Sequence, residues 1–151
     1  MGMKDFAGGC VIHASTGVAA LVVTKFLAPR ERGRGSRKLG HHSLLLSMLG
    51  SSIIWGGWYS FNGGSAYAAN SQAANALINT HLSACAGAAS WLILAYSRDG
   101  KYHLIEIMSG ALAGLGSITA GSGFVSPWAA FVTGSIGGIL SSLWVSHIKP
   151  K

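Results

Sequence analysis

Charged side chains divide this sequence into long uncharged stretches. None falls between Phe6 and Thr24, between Leu39 and Ser97, or between Ile107 and Ile148. The middle stretch is 59 residues long. That exceeds any one soluble core helix or strand, and it suffices for two bilayer spans of about 20 residues with a turn between them. Gly, Asn, Ser and Pro cluster between the apolar segments, as turn chemistry expects. The pattern predicts five transmembrane spans, at about residues 6–27, 41–61, 70–96, 104–120 and 127–147, in one unit covering residues 1–151. Backbone groups in lipid can be satisfied only in helices or in a closed barrel. The segments are about twice a barrel strand's length and do not alternate, so the expected fold class is all-α, a polytopic transmembrane helical bundle.

Composition sharpens this reading. Half of the residues are hydrophobic, 10% are charged, and mean hydropathy is +0.43. A soluble enzyme, a disordered tail and a nucleic-acid domain are excluded, despite a net charge of +7. The 22 glycines suit helices that approach closely in a membrane. Cys10 and Cys85 lie in apolar segments and are expected as buried free thiols. No CxxC or Cys/His cluster points to a metal or redox centre, and no cofactor is expected. Lys4 before an apolar stretch suggests a signal peptide. Polar and glycine interruptions, and the lack of a small-residue cleavage site before Pro29, favour a retained span. Phe6 stands where myristoylation would want Ser or Thr.

Basic residues predict the orientation. Segment 25–38 holds six Lys and Arg and one acid, Glu31; the turn 98–101 holds Arg98 and Lys101; the tail holds Lys149 and Lys151. Five spans place all three on one side, which the positive-inside rule makes cytoplasmic, with the N-terminus outside and the C-terminus inside. Trp55, Trp58, Tyr59 and Phe61 at one end of the second span, with Trp128 and Trp144 bounding the fifth, fit an interfacial aromatic belt.

Ionisable residues inside spans are costly, and they are the first functional candidates. His13 shares a helix face with Gly9, Cys10, Thr16, Gly17 and Ala20, opposite Val11, Val18 and Val22. It should therefore face other helices, either as a relay for a small polar solute or a proton, or as a structural hydrogen bond. His81 is expected to bond a neighbouring helix. His41 and His42 should sit at the interface. Glu106 should reach the interface or pair with Lys101. Asp5 is either a helix N-cap or an attractor of cations. Gly110-x-x-x-Gly114 and Gly134-x-x-x-Gly138 suggest close helix crossings. Trp55, Trp58 and Phe61, with Ile54 seven residues before Phe61, form a face that can pack as belt and core or hold a cation over its rings, worth about 0.5–2 kcal/mol per contact.

The segments DFAGGCVIH (5–13), GGWYSFNGGSAYAAN (56–70), NALINT (75–80), MSGALAGLGSIT (108–119) and GFVSPWAA (123–130) resemble the ammonium transporter (Amt) family in order and spacing along nearly the whole chain. The resemblance implies an eleven-helix bundle, usually trimeric, with one narrow pore per subunit between two inverted halves. This chain looks like helices five to nine of it. The orientation so implied agrees with the one read from charge.

By resemblance, His13 is the first of a pair of pore histidines, Phe61 the inner of two gate phenylalanines, and Ile54 a lumen-lining aliphatic. Ser65 resembles the hydroxyl of an outer ammonium-recruitment site, Asp5 an aspartate near the vestibule, and Thr119 a threonine near the outer mouth; Trp58 looks like a packing aromatic. His81 and Glu106 depart from the family's usual residues. The second histidine, the outer phenylalanine and the recruitment tryptophan would lie on helices outside this sequence, so the pore wall is expected to be incomplete within one copy. The implied function is ammonium or ammonia transport through a histidine-lined hydrophobic pore in the plasma membrane, as a homotrimer or with other ammonium transporter subunits. The alternative is a non-transporting membrane subunit that modulates full-length transporters.

Overall fold

The structure, a computed structural model, describes residues 2–27 and 43–148. These residues form helices and no strand. A wide π-helical turn, Gly9–Ala14, leads into α1 (Ser15–Phe26); α2 (Leu44–Gly64), α3 (Ser71–Asp99), α4 (Leu104–Ile118) and α5 (Pro127–Ile148) follow. Each lies on one of the five expected segments. Three stretches, Gly9–Phe26, Ser71–Asp99 and Pro127–His147, are long and apolar enough to cross a bilayer, and α4 is a shorter apolar helix.

Local chemistry sets the ends. Ser43 Oγ accepts the Leu46 N–H at 3.2 Å and Asn70 Oδ1 accepts the Ala73 N–H at 2.9 Å, so α2 and α3 both begin on side-chain caps. Gly100, with φ of 64°, ends α3 in the left-handed conformation that glycine adopts without strain. Pro127 opens α5, where its missing N–H would have no helical partner anyway. The second helix runs through FNGG to Gly64, beyond its expected end at 61. Asn62 is the reason: its buried amide donates to Thr80 Oγ1 on α3 at 2.9 Å, and that bond outweighs local turn preference.

The core gathers around α3. Its buried residues are small or polar except Trp91: Ala76, Asn79, Thr80, Ser83, Ala84, Ala86, Gly87 and Ala95. Both GxxxG pairs close on the same two positions. Gly114 and Gly134 lie against the Ser83 carbonyl, while Gly110 and Gly138 lie against Gly87. A Cβ on Gly110 would stand 2.6 Å from the Gly87 oxygen, so α4 can approach this closely only without a side chain. Ser83 Oγ adds a 2.8 Å hydrogen bond to the Gly114 carbonyl.

The irregular stretch between α4 and α5 is fixed by amides from α3. Asn79 Nδ2 donates to the carbonyls of Ser122 and Val125, both at 2.8 Å; Asn75 Nδ2 reaches Val125 O at 3.1 Å, and Gln72 Nε2 reaches Gly123 O at 3.4 Å. Non-helical backbone buried in an apolar bundle needs such partners.

Several expectations change. Glu106 pairs with Arg98 at 3.2 Å rather than with Lys101, because the last turn of α3 brings the guanidinium over the first turn of α4. Arg98 also meets Asp99 at 2.9 Å. Cys10 and Cys85 are free, as expected, but exposed instead of buried, since both lie on helix faces that α4 and α5 do not cover. The expected interhelical bond of His81 is present: Tyr59 Oη of α2 lies 2.6 Å from its Nδ1. His41, His42, the basic loop and the tail lysines lie outside the described residues.

Candidate functional site

The site is assembled where the start of the chain meets the end of α4. Asp5 shapes that start. Its Oδ1 accepts from the N–H groups of Gly8 and Gly9 at 3.0 and 2.8 Å, and its Oδ2 from those of Cys10 and Val11 at 2.9 and 3.2 Å. One carboxylate thus satisfies the unpaired donors of the π-helical turn, as the N-cap reading expects. Desolvation pushes its pKa upward, but the four amide bonds together prevail and hold it below the ordinary value. The Phe6 N–H then donates to Ala120 O at 2.9 Å, and Gly9 lies so close that a Cβ there would be 2.6 Å from the Ala120 nitrogen. Phe6 packs edge-on against Phe124, with ring centroids 5.2 Å apart. These contacts fix the turn against the end of α4.

The turn carries His13, half-buried, into contact with α2 and α4. Its imidazole stacks on the Trp58 ring at 5.3 Å with an interplanar angle of 23°, and the Phe61 ring lies 6.1 Å away. Trp58 and Phe61 are three apart on α2, and their centroids are 5.6 Å apart. Below them sits Thr119, fully buried at the end of α4. Its hydroxyl donates to the Leu115 carbonyl at 2.8 Å and accepts the Trp58 indole N–H at 3.1 Å; His13 Nε2 lies 3.3 Å from the same oxygen. An imidazole offers a donor and an acceptor within a mostly aromatic surface, and aromatic faces attract cations.

Four of the residues singled out in the sequence therefore meet: His13, Trp58, Phe61 and Thr119. Ser65 stands one turn beyond Phe61, and its hydroxyl donates to the Phe61 carbonyl at 2.8 Å. Ile54 lies one turn before Trp58 on α2 and is 45% exposed, which leaves its side chain free to line a space. Asp5 makes its hydrogen bonds to backbone amides and acts on this group through the turn it caps.

Sequence reasoning missed two things. The sequence reads Trp58 as a packing aromatic or as one ring of a cation-holding face, and neither reading contains its link from His13 to Thr119. The amide stripe of Gln72, Asn75 and Asn79 was also missed. Its signal was present, since three amide side chains at i, i+3 and i+7 in an apolar helix share one face.

Fold and site define a class: a helical integral membrane protein in which a half-buried histidine from one helical element meets aromatic rings from another at one end of the bundle. The sequence profile of the Ammonium Transporter Family matches residues 1–151. The chain is 43% identical over 150 residues to a putative ammonium transporter of Methanothermobacter thermautotrophicus, covering 99% of this chain and 36% of that protein. It is 41% identical over 151 residues to an ammonium transporter of Bacillus subtilis, covering all of this chain and 37% of that one. Among solved structures, Saccharomyces cerevisiae Mep2 superposes with a TM-score of 0.83 at 36% identity, over 93% of this chain and 33% of Mep2. A sensor Amt protein gives 0.87 at 33% identity, over 97% of this chain and 37% of that one. This chain belongs to the ammonium transporter family, and it spans little more than a third of the length of these relatives.

Proposed function

We propose that this chain forms part of the wall of a narrow transmembrane passage for ammonium or ammonia. The observation that supports this best is His13, held against Trp58, Phe61 and the Thr119 hydroxyl where three helical elements meet. His13, Ile54 and Phe61 line the passage; Ser65 serves the permeating species at its outer end, Thr119 acts on it through His13, and the negative charge of Asp5 favours cations there. A bare cation in hydrocarbon costs at least a few kcal/mol. Aromatic faces therefore gather ammonium at the mouth, and ammonia is the species that moves past the apolar lining beside the imidazole.

In this reading the five segments all span the plasma membrane, the basic segments lie in the cytoplasm, and the N-terminus is outside. The passage is completed by further helices, in a homotrimer or with other ammonium transporter subunits. No resident cofactor takes part.

Uptake tests the reading. Expression in cells lacking ammonium transporters should restore growth on low ammonium, and His13→Ala and Phe61→Ala should each reduce it. Uptake indifferent to both substitutions would remove the site assignment. A chain that conducts nothing alone, but co-purifies with a full-length relative and changes its rate, would instead favour the modulating-subunit reading.

A further inference from the structure

We infer that Thr119 is a positioning residue that decides which ring nitrogen of His13 carries the proton: the neutral imidazole holds it on Nε2 and keeps its lone pair on Nδ1. A threonine hydroxyl has one proton to give and two lone pairs. The proton goes to the Leu115 carbonyl, 2.8 Å away in the preceding turn of α4, a group that can only accept. One lone pair takes the Trp58 indole N–H at 3.1 Å, a group that can only donate. What is left to face His13 Nε2 at 3.3 Å is a lone pair, so Nε2 meets it as an N–H.

The opposite tautomer would set two lone pairs against each other beside a fully buried hydroxyl, or make Thr119 abandon Leu115. Stacking on Trp58 holds the ring plane that aims Nε2 at this oxygen. The order of donation is thus fixed from outside the ring, by an acceptor-only carbonyl and a donor-only indole. Resting on the passage proposed above, His13 then presents Nδ1 to that passage as a hydrogen-bond acceptor, which can take an N–H of the permeating species.

The test is solid-state NMR of the chain in lipid bilayers, with labelled histidine ring nitrogens and threonine carbons, at a pH where the ring is neutral. His13 is identified as the ring whose signals vanish in His13→Gln. A protonated Nε2, a bare Nδ1 and a correlation from the Nε2 proton to Thr119 Cβ are expected. Thr119→Ser should keep that proton bonded, while Thr119→Val should release it to faster exchange. A wild-type ring with its proton on Nδ1, or an Nε2 proton unchanged by Thr119→Val, would overturn the assignment.

In uptake assays Thr119→Val should lower the rate about fivefold, the equivalent of one hydrogen bond of about 1 kcal/mol, and Thr119→Ser by less than about twofold. Unchanged uptake in Thr119→Val beside an inactive His13→Ala would overturn its functional half. If no version conducts, the conduction reading fails, and the ring signals still decide the tautomer.

Discussion

The first and third helical segments each hold an 18-residue stretch of nearly the same apolarity, and they are opposite in burial. Over the most apolar 18-residue stretch of Gly9–Phe26 and of Ser71–Asp99, mean hydropathy is 1.4 and 1.3. Yet no residue of α1 is buried among the described residues, while α3 is enclosed by α2, α4 and α5. All of α1 is exposed, its large side chains Val18, Leu21, Val22, Val23 and Phe26 included. The buried ones of α3 are mostly Ala, Gly, Ser, Thr and Asn. In water the large apolar residues would go inside. In a bundle built for lipid they can face outward, and small or hydrogen-bonding residues mediate helix contact. Summed hydropathy therefore says that a helix belongs in the membrane, and side-chain size says which helix is central.

The largest effect expected from testing this contrast is at the glycine contacts of α3. Gly114→Leu places a side chain against the Ser83 carbonyl and should cost about 3 kcal/mol or more, seen as loss of monodisperse protein in detergent or a sharp fall in Tm. On α1, Val18→Leu should shift stability by no more than about 0.5 kcal/mol. If Gly114→Leu is as mild as Val18→Leu, α3 is not the packing centre.

Next is Asn79→Leu. It takes two hydrogen bonds from the carbonyls of Ser122 and Val125 and should destabilise by about 1–3 kcal/mol, measured by thermal unfolding in detergent. A neutral result would mean that those carbonyls find other donors.

The smallest effect is at Asp5. Its pKa is lowered in the folded chain, so its stabilisation is complete above the ordinary value of 3.8 and is lost as pH falls through the lower, folded value. Tm of the wild type should therefore fall at acid pH more steeply than that of Asp5→Asn. Parallel curves would show that the charge contributes nothing.

Much of the fold was legible. The five apolar segments, their punctuation and the two GxxxG pairs are patterns in one dimension, and each became a helix or a close contact. His13 is half-buried, yet most of the small-residue side it was expected to share is as exposed as the valine side: Cys10, Thr16, Gly17 and Ala20 are exposed along with Val11, Val18 and Val22. What stayed hidden depends on pairs distant in sequence. Thr119 bonds Trp58 across 61 positions and meets His13 across 106. No spacing rule links such residues. The choice of Arg98 over Lys101 as partner of Glu106 turns on how the last turn of α3 faces the first turn of α4, and that follows from the glycine contacts far below it.

The amide stripe on α3 bears on how the chain enters the membrane. With fifteen residues, α4 is about 22 Å long, less than the about 30 Å of a bilayer's hydrocarbon. The carbonyls of Ser122, Gly123 and Val125 lie beyond its end, where Ser122 and Gly123 are buried in the bundle. Gln72, Asn75 and Asn79 stand in there for the water that is missing. They are synthesised about fifty residues ahead of the groups they serve. The order of translation thus delivers the solvent substitute before the backbone that needs it.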